Sequence, residues 1–136
     1  MQLNPYLAFD GQCEAAFKFY EEALGGKIAM LMTYAQSPQP DQTPPGMQDK
    51  VMHARMTVGD TVLMGSDAPT GRYQAMKGCM VTLGVDEPAE ADRVFHALAA
   101  GGQVTMPIAE TFWAKRFGML TDRFGTQWMV NCEKPM

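Results

Sequence analysis

The segments "YLAFDGQCEAAFKFYEEALGGKI" (residues 6–28) and "TLGVDEPAEADRVFHALAAGGQV" (residues 82–104) align without a gap at an offset of 76 residues. Each has a leucine and an aspartate before a helical pattern, a phenylalanine within it and a glycine pair after it. The matched residues include Leu7/Leu83, Asp10/Asp86, Phe19/Phe95 and Gly25-Gly26/Gly101-Gly102. A period of this length is too long for a solenoid repeat, so the sequence predicts two copies of one supersecondary module.

Both copies predict the same order of elements. A short strand (residues 5–9 or 79–85) precedes Asp10 or Asp86, whose carboxylate is expected to satisfy free N–H groups at a helix start. Helical spacing places on the buried face Ala16, Phe19, Tyr20 and Leu24 in the first copy, and Ala91, Val94, Phe95 and Leu98 in the second. The glycine pair ends each helix. Strand-like runs follow at 27–34, 51–58 and 61–66, and at 103–110, 117–122 and 127–131, so each copy is βαβββ.

Alternation along the strands predicts which side chains share a face. The segment "TVGDTV" predicts a two-residue type II′ turn at Gly59-Asp60. The resulting register groups His53, Arg55, Thr57, Val62, Met64 and Ser66 on a mixed face, and Met52, Ala54, Met56, Val58 and Leu63 under the helix. The same alternation places Cys79, Val81, Leu83, Val85, Trp128 and Val130 under the second helix. It places Asn4, Tyr6, Ala8, Met80, Thr82, Gly84, Gln127, Met129 and Asn131 on mixed faces.

These patterns predict an α+β fold in which the two mixed faces enclose a cup, the kind of concave site that binds a small ligand. We expect a single domain over residues 1–136, built of two repeats at about 1–75 and 76–136. The proline-rich segment 35–50 lacks periodicity and is predicted to be a mobile loop, either a cover over the cup or an arm on a partner chain.

Composition excludes several classes of protein. The chain has 136 residues, 46% of them hydrophobic, which indicates a packed globular core. A net charge of −4 argues against nucleic-acid binding. No apolar run is long enough to span a membrane, and the N-terminus does not resemble a signal peptide. The three scattered cysteines do not indicate a disulfide framework, so we expect a cytoplasmic location.

The chain resembles the vicinal oxygen chelate superfamily (glyoxalase, bleomycin resistance proteins and ring-cleaving dioxygenases), and within it the PhnB-like branch. The resemblance rests on "NPYLAFDG", "EAAFKFYEEALGG", "HARMTVGDTVLMGSDAP" and above all "ETFWAKRFGMLTDRFGTQWMVN" (residues 110–131). It implies two tandem βαβββ modules that form a curved mixed sheet around a central cup. It also implies a homodimer.

Metal-using members of this superfamily bind a divalent ion with His, Glu or Gln residues. Carried over by position, the corresponding residues are Asn4 (or Pro5), Met64, Met80 and Met129. Thioethers are poor ligands for such an ion, so we expect no metal and no other cofactor.

The favoured function is therefore the binding of an unidentified small organic molecule in a metal-free, methionine-lined cup. The expected ligand-binding residues are Tyr6, His53, Arg55, Met64, Ser66, Met80, Trp113, Met129 and Asn131. One alternative is a metal-independent or metal-weak enzyme, resembling a lyase, isomerase or dioxygenase. It would use His53 as the acid–base group and Arg55 as an anion clamp. Another alternative is a non-catalytic dimeric scaffold. Asp67 is expected to cap a turn rather than to act in catalysis.

Overall fold

A computed structural model describes residues 1–135 of the chain. The elements in order are β1 (Tyr6–Phe9), α1 (Cys13–Leu24), β2 (Lys27–Thr33), β3 (Val51–Val58), β4 (Thr61–Asp67), β5 (Val81–Gly84), α2 (Pro88–Ala99), β6 (Gln103–Ala109), β7 (Ala114–Thr121) and β8 (Gln127–Glu133). A short 3₁₀ turn, Pro40–Gln42, lies between β2 and β3. None of the helices in residues 1–135 is long and apolar enough to cross a membrane.

The chain divides into two compact units, residues 1–75 and 76–136. Each contains one four-stranded sheet, ordered β1-β4-β3-β2 in the first unit and β5-β8-β7-β6 in the second. The first strand of each unit pairs in parallel with the last, and the other pairs are antiparallel. The α+β class and the βαβββ order predicted for each copy are confirmed.

In the first unit α1 packs on one face of the sheet. Its buried residues are Cys13, Ala16, Phe17, Tyr20 and Ala23. A Cβ atom on Gly65 of β4 would lie 2.9 Å from the Phe17 ring, so only glycine lets the helix approach this closely. The predicted face was partly wrong, because Phe19 and Leu24 are only partly buried. Phe17 occupies the position against the sheet that Phe19 was expected to fill.

In the second unit α2 buries the four residues that the sequence predicts, namely Ala91, Val94, Phe95 and Leu98. Gly118 of β7 is the close-approach position here, since a Cβ atom on it would lie 2.6 Å from the Phe95 ring. In the first copy α1 ends directly before the glycine pair, whereas α2 ends at Ala99 and Ala100 lies between it and Gly101. The second helix is thus shifted by one residue relative to the gapless alignment of the two copies. The Phe19/Phe95 identity therefore joins two residues with different environments.

A buried carboxylate holds the start of α1, but it is not the predicted Asp10. Within residues 1–135 neither the Asp10 nor the Asp86 carboxylate accepts a hydrogen bond from a helix N–H group, so the prediction for both copies was wrong. Instead Asp67, 1% exposed at the end of β4, accepts hydrogen bonds from the backbone N–H groups of Cys13 and Val51, each 2.9 Å long. Asp67 thereby fixes the helix and β3 to the same strand end, a structural role.

The predicted hairpin register is confirmed. Val58 pairs with Thr61, Thr57 with Val62 and Arg55 with Met64. Gly59 has a φ of 56°, and no residue other than glycine has a positive φ within residues 1–135. A positive φ at the first turn position alone fits type II′.

Two predicted positions under the helices are wrong. Cys79 is exposed and lies outside β5, which begins only at Val81. On β2, Met32 pairs with His53 and the next residue, Thr33, pairs with Val51, which leaves Met52 as an extra residue in β3. Val51 is therefore buried in the place predicted for Met52. An extra residue in one strand reverses the alternation beyond it, which explains the second error.

Candidate functional site

Each sheet has a face turned away from its own helix, called here the helix-free face. In the first unit Tyr6 pairs with Met64, Met64 with Arg55, and Arg55 with Met30, across four neighbouring strands. Because cross-strand partners point to the same side of a sheet, these four side chains form a continuous row. We call it the Met64 row. Its outer members are well exposed, Tyr6 by 50% and Met30 by 41%.

Tyr6 and His53 are in direct contact on this face. Their rings stack with centroids 5.8 Å apart and an interplanar angle of 27°. The Tyr6 hydroxyl lies 3.3 Å from His53 Nδ1, a long hydrogen bond. When the hydroxyl donates, Nδ1 is the acceptor, and the imidazole carries its proton on Nε2. In that arrangement the pair offers an N–H donor to a molecule on this face.

Arg55 lies on the same face, two residues along β3 from His53, and is half-buried. Within residues 1–135 its guanidinium makes no hydrogen bond and no ion pair. This contrasts with Arg116, which is paired with Asp92 at 2.7 Å. Ser66 also belongs to this face, because it lies two residues from Met64 and pairs with Ala8. The helix-free face of the first unit is thus rich in donors and carries an uncompensated positive charge.

The corresponding row in the second unit is made almost entirely of methionine. Thr82 pairs with Met129, Met129 with Met119, and Met119 with Met106. We call it the Met129 row. The Thr82 hydroxyl lies 3.8 Å from the Met129 sulfur, so these two neighbouring members touch. Sequence reasoning identified Met129 but missed Met30, Met106 and Met119. The equivalence of Met30 and Met106 at the repeat offset was an available signal.

Asn131 presents an unusual polar group on the helix-free face of the second unit. Its Oδ1 atom is buried and has no hydrogen-bond partner within residues 1–135. The Nδ2 group contacts Glu133 Oε1 at 3.5 Å, which favours this orientation because the reversed amide would set two oxygens against each other. Asn131 is flanked across the sheet by Gly84 and Phe117. A buried acceptor without a donor is a site where a ligand N–H or O–H group would be favourable.

Trp113 lies in the turn before β7, as the sequence predicts, and is 42% exposed. Its ring meets Phe117 edge-on at a centroid distance of 5.2 Å, and Phe112 at 4.8 Å. Phe117 pairs with Asn131 across the sheet, so this aromatic cluster includes the neighbour of Asn131 on β7. Aromatic side chains beside a polar acceptor are suited to planar organic groups.

The residues at the positions implied for a divalent ion do not fit one. Asn4 precedes β1, Met80 precedes β5, and Met64 and Met129 lie within β4 and β8. A hard cation requires oxygen or imidazole donors, and three of these four side chains are thioethers. Within residues 1–135 no group of three or more His, Cys, Asp or Glu side chains could hold a metal ion.

Cys13 is at the start of α1, a place where a helix dipole can lower a thiol pKa. The structure gives the opposite result. Burial raises the pKa of the Cys13 thiol far above its ordinary value, and the charges of Asp67 and Glu14 raise it further. Cys13 is therefore an inert core residue.

Segment 35–50 forms one wall of a surface cavity in the first unit. The cavity has a volume of about 410 Å³ and is lined by Tyr34, Ser37, Pro38, Gln39, Gln42, Thr43 and Met52. None of the predicted site residues lines it. The loop is anchored at its base by hydrogen bonds from Tyr34 N–H to Lys50 O and from Ala35 N–H to Gln48 O, each 3.0 Å long.

Comparison with known proteins shows which family the chain is similar to. Residues 2–130 match the family model described as Glyoxalase/Bleomycin resistance protein/Dioxygenase superfamily. The protein YjdN of Escherichia coli is 34% identical, with 98% of this chain and 97% of YjdN covered.

Two solved structures extend the comparison. Protein PA1353 from Pseudomonas aeruginosa has a TM-score of 0.90 and 49% identity over 99% of each chain. A PhnB protein from Bacillus cereus has a TM-score of 0.81 and 26% identity, over 97% of this chain and 99% of that one.

Proposed function

Because the chain belongs to the glyoxalase/bleomycin resistance protein/dioxygenase superfamily, we propose that it binds a small organic molecule, without a divalent metal ion, on the helix-free face of the sheet in its second unit. The ligand carries a planar or apolar body and at least one hydrogen-bond donor. The observation that carries this proposal is the buried, unpartnered Oδ1 of Asn131 beside Phe117 and Met129. Leaving such an acceptor empty costs stability, and a ligand donor removes that cost.

The surroundings of Asn131 indicate the kind of ligand. Met119 and Met129 are flexible and polarisable, so they adapt to irregular apolar shapes. Trp113 and Phe117 offer ring edges and faces. The Met129 row carries no charged side chain, and the charged group in contact with Asn131 is the Glu133 carboxylate, which accepts from Nδ2 at 3.5 Å and disfavours an anionic ligand. A neutral aromatic or heteroaromatic group with an N–H or O–H donor matches this chemistry.

By itself, the helix-free face of the first unit favours an anionic or acceptor group. Arg55 is half-buried and lacks an ion pair within residues 1–135, and His53 lies on the same face. A guanidinium in this state gains more from a carboxylate or phosphate than a solvated, paired arginine would. The proposed Arg55 role is tested by an Arg55→Gln variant, which should weaken binding of benzoate but leave binding of benzyl alcohol unchanged.

The main test uses two probes that differ only in a donor. Indole and 1-methylindole are titrated into protein with ¹³C-labelled methionine methyl groups, and the methyl resonances are followed by NMR. Indole should bind about tenfold tighter, the value expected for one hydrogen bond to a buried acceptor. An Asn131→Leu variant should bind both probes equally.

The control is built into the labelled protein. Met56 is fully buried under α1 and should not respond, whereas Met119 and Met129 should shift. Equal affinity of the wild-type protein for both probes, or shifts confined to other methionines, contradicts the proposal. Native mass spectrometry of protein purified without denaturation provides a second measurement, since a co-purified small molecule should be lost from the Asn131→Leu variant.

A metal-independent enzyme is the second candidate, favoured by the Tyr6–His53 contact. A tyrosine hydroxyl that hydrogen-bonds to imidazole Nδ1 orients the ring and forms a route for a proton. Turnover of a substrate found through the ligand search should fall by at least about 10²-fold in a His53→Gln variant. Unchanged turnover in that variant rejects the enzymatic role of His53 and leaves the binding role intact.

The proposals on assembly and location rest on the resemblance and the composition. Homodimerisation and a cytoplasmic location are both expected, and the scattered free cysteines suit a reducing compartment. Analytical ultracentrifugation at micromolar concentration tests the first, and a dominant monomer would reject it.

A further inference from the structure

The Met129 row contains three thioethers in direct cross-strand register. Met119 pairs with Met129 in regular register, and Met106 pairs with Met119 between two register irregularities of β6, so the three side chains lie on neighbouring strands β6, β7 and β8. Opposed residues on neighbouring strands have β-carbons about 5 Å apart. Methionine side chains are unbranched and flexible, so the outer sulfurs can turn toward the central one. This arrangement can bring three soft donors to one point on the sheet.

We propose that the Met129 row is a binding site for a soft monovalent cation of the copper(I) class, coordinated by the sulfurs of Met106, Met119 and Met129. Thioether sulfur selects copper(I) and disfavours hard or borderline divalent ions. The thioether sulfur of Met129 is a poor ligand for zinc or manganese, but it is a good ligand for copper(I).

Accessibility supports the proposal. Met106 is 44% exposed, while Met119 and Met129 are only partly covered, so an ion can reach the row without unfolding the sheet. The Thr82 hydroxyl, 3.8 Å from the Met129 sulfur, completes the row on β5. It is neutral, and so are the residues that flank the row along β7 and β8, namely Phe117, Thr121, Gln127 and Asn131. Within residues 1–135 the row itself and these four flanking residues therefore carry no positive charge that would repel the ion.

The first unit provides an internal comparison. Its Met64 row has the same backbone arrangement, with Met30 and Met64 in the places of Met106 and Met129. Arg55 occupies the central place that Met119 occupies in the second unit. A guanidinium is a permanent cation with no lone pair to offer. The first unit therefore lacks the central sulfur ligand, and the positive charge of Arg55 would repel a bound cation.

This inference does not depend on the proposed organic ligand, although both involve Met119 and Met129. Asn131 and Trp113 have no part in the cation site. Loss of indole discrimination in Asn131→Leu without any change in cation binding would separate the two proposals.

Silver(I), which is soft, monovalent and redox-inert, is the first probe. The titration uses chloride-free buffer and a Cys79→Ser background, because Cys79 is the exposed free thiol within residues 1–135 and would compete for the ion. Isothermal titration gives the stoichiometry, and the ¹³C-methyl resonances of methionine identify the ligands. Copper(I) is then measured anaerobically in competition with a chromogenic chelator.

The expected result is one silver ion per chain, with methyl shifts at Met106, Met119 and Met129. Met119→Leu should weaken binding at least tenfold, because it removes the central sulfur with little change in volume. The matched control is Met30→Leu, at the equivalent place in the first unit, which should leave binding unchanged. Circular dichroism of each variant verifies that the fold is retained.

Three results would overturn the proposal: no stoichiometric silver binding in the Cys79→Ser protein, unchanged binding in Met119→Leu, or equal methyl shifts in both rows. A gain-of-function variant tests the internal comparison. Arg55→Met completes three methionines in the Met64 row and should raise the stoichiometry to two silver ions. If the Arg55→Met protein still binds one silver ion, three methionines paired across neighbouring strands are not sufficient to bind the ion.

Discussion

The unpartnered oxygen of Asn131 predicts a substitution that stabilises the protein. In Asn131→Leu a buried polar group is replaced by an apolar side chain of similar volume. Removing a buried unsatisfied acceptor recovers about 1–3 kcal/mol. The contact from Nδ2 to Glu133, at 3.5 Å, is at the limit of hydrogen bonding, and its loss costs little. We expect a net gain of about 1–2 kcal/mol, which raises Tm by roughly 4 °C for a chain of this size.

The measurement is urea unfolding of ligand-free protein, refolded after denaturation so that bound small molecules are removed. The midpoint should rise at an unchanged m-value. Gln127→Leu is the matched control, because Gln127 lies on the same strand and face but donates from Nε2 to Met76 O at 2.9 Å. That substitution should destabilise by about 1 kcal/mol.

Opposite signs for the two substitutions support the view that Oδ1 is empty in the free protein. If Asn131→Leu destabilises as much as Gln127→Leu does, Oδ1 has a partner in solution. The inference that it awaits a ligand donor would then fail.

Three further predictions follow from buried or paired groups. Asp67→Asn should lower the free energy of unfolding by about 2–3 kcal/mol in urea, because one of the two bonded backbone N–H groups would face an amide donor. At pH 8 a thiol reagent should modify Cys79 in the folded protein and leave Cys13 unmodified. Burial raises the pKa of the Cys13 thiol, so the buried neutral thiol contributes stability below about pH 8.5, and this contribution is lost as pH rises further. In urea unfolding, Cys13→Ala should therefore reduce the loss of stability at alkaline pH. Tyr6→Phe should shift neutral His53 away from the Nε2–H tautomer in ¹⁵N NMR, and unchanged nitrogen shifts would show that the hydroxyl does not donate to Nδ1.

Much of the fold follows from local patterns in the sequence. Alternation along residues 51–66 and the glycine at position 59 determine the β3–β4 register, which the structure reproduces. Helical spacing and strand-like runs provide the βαβββ order of elements in each copy. These features depend on strand periodicity and turn chemistry, which act over a few residues and can therefore be recognised in one sequence.

Errors arise where a contact joins distant parts of the chain. Asp67 caps α1 from 54 residues away, so no local rule distinguishes it from Asp10. The extra residue at Met52 reverses the alternation at the start of β3, and nothing in the local composition marks it. Ala100 displaces α2 relative to the glycine pair, which makes the Phe19/Phe95 identity misleading about burial.

The candidate site was harder to predict than the fold because it depends on register across four strands. An offset of 76 residues matches Met30 with Met106. The offset no longer holds after segment 35–50, because the second copy has only a short turn between the corresponding strands β6 and β7. Met119 therefore has no counterpart at that offset, and its equivalence to Arg55 becomes visible only through the pairing of β6, β7 and β8.

The divergence of the two rows has a physical consequence for function. Duplication retains the backbone register, because both sheets have the same strand order and both helices require a glycine for close approach. The side chains of the two rows lie on the opposite side of each sheet from these glycines. Arg55 and Met119 can therefore occupy equivalent places with opposite chemistry: a hard cation that attracts anions, and a neutral soft donor. Under the two proposals above, each sheet would present its own recognition surface, and exchanging Arg55 and Met119 is the smallest change expected to exchange their preferences.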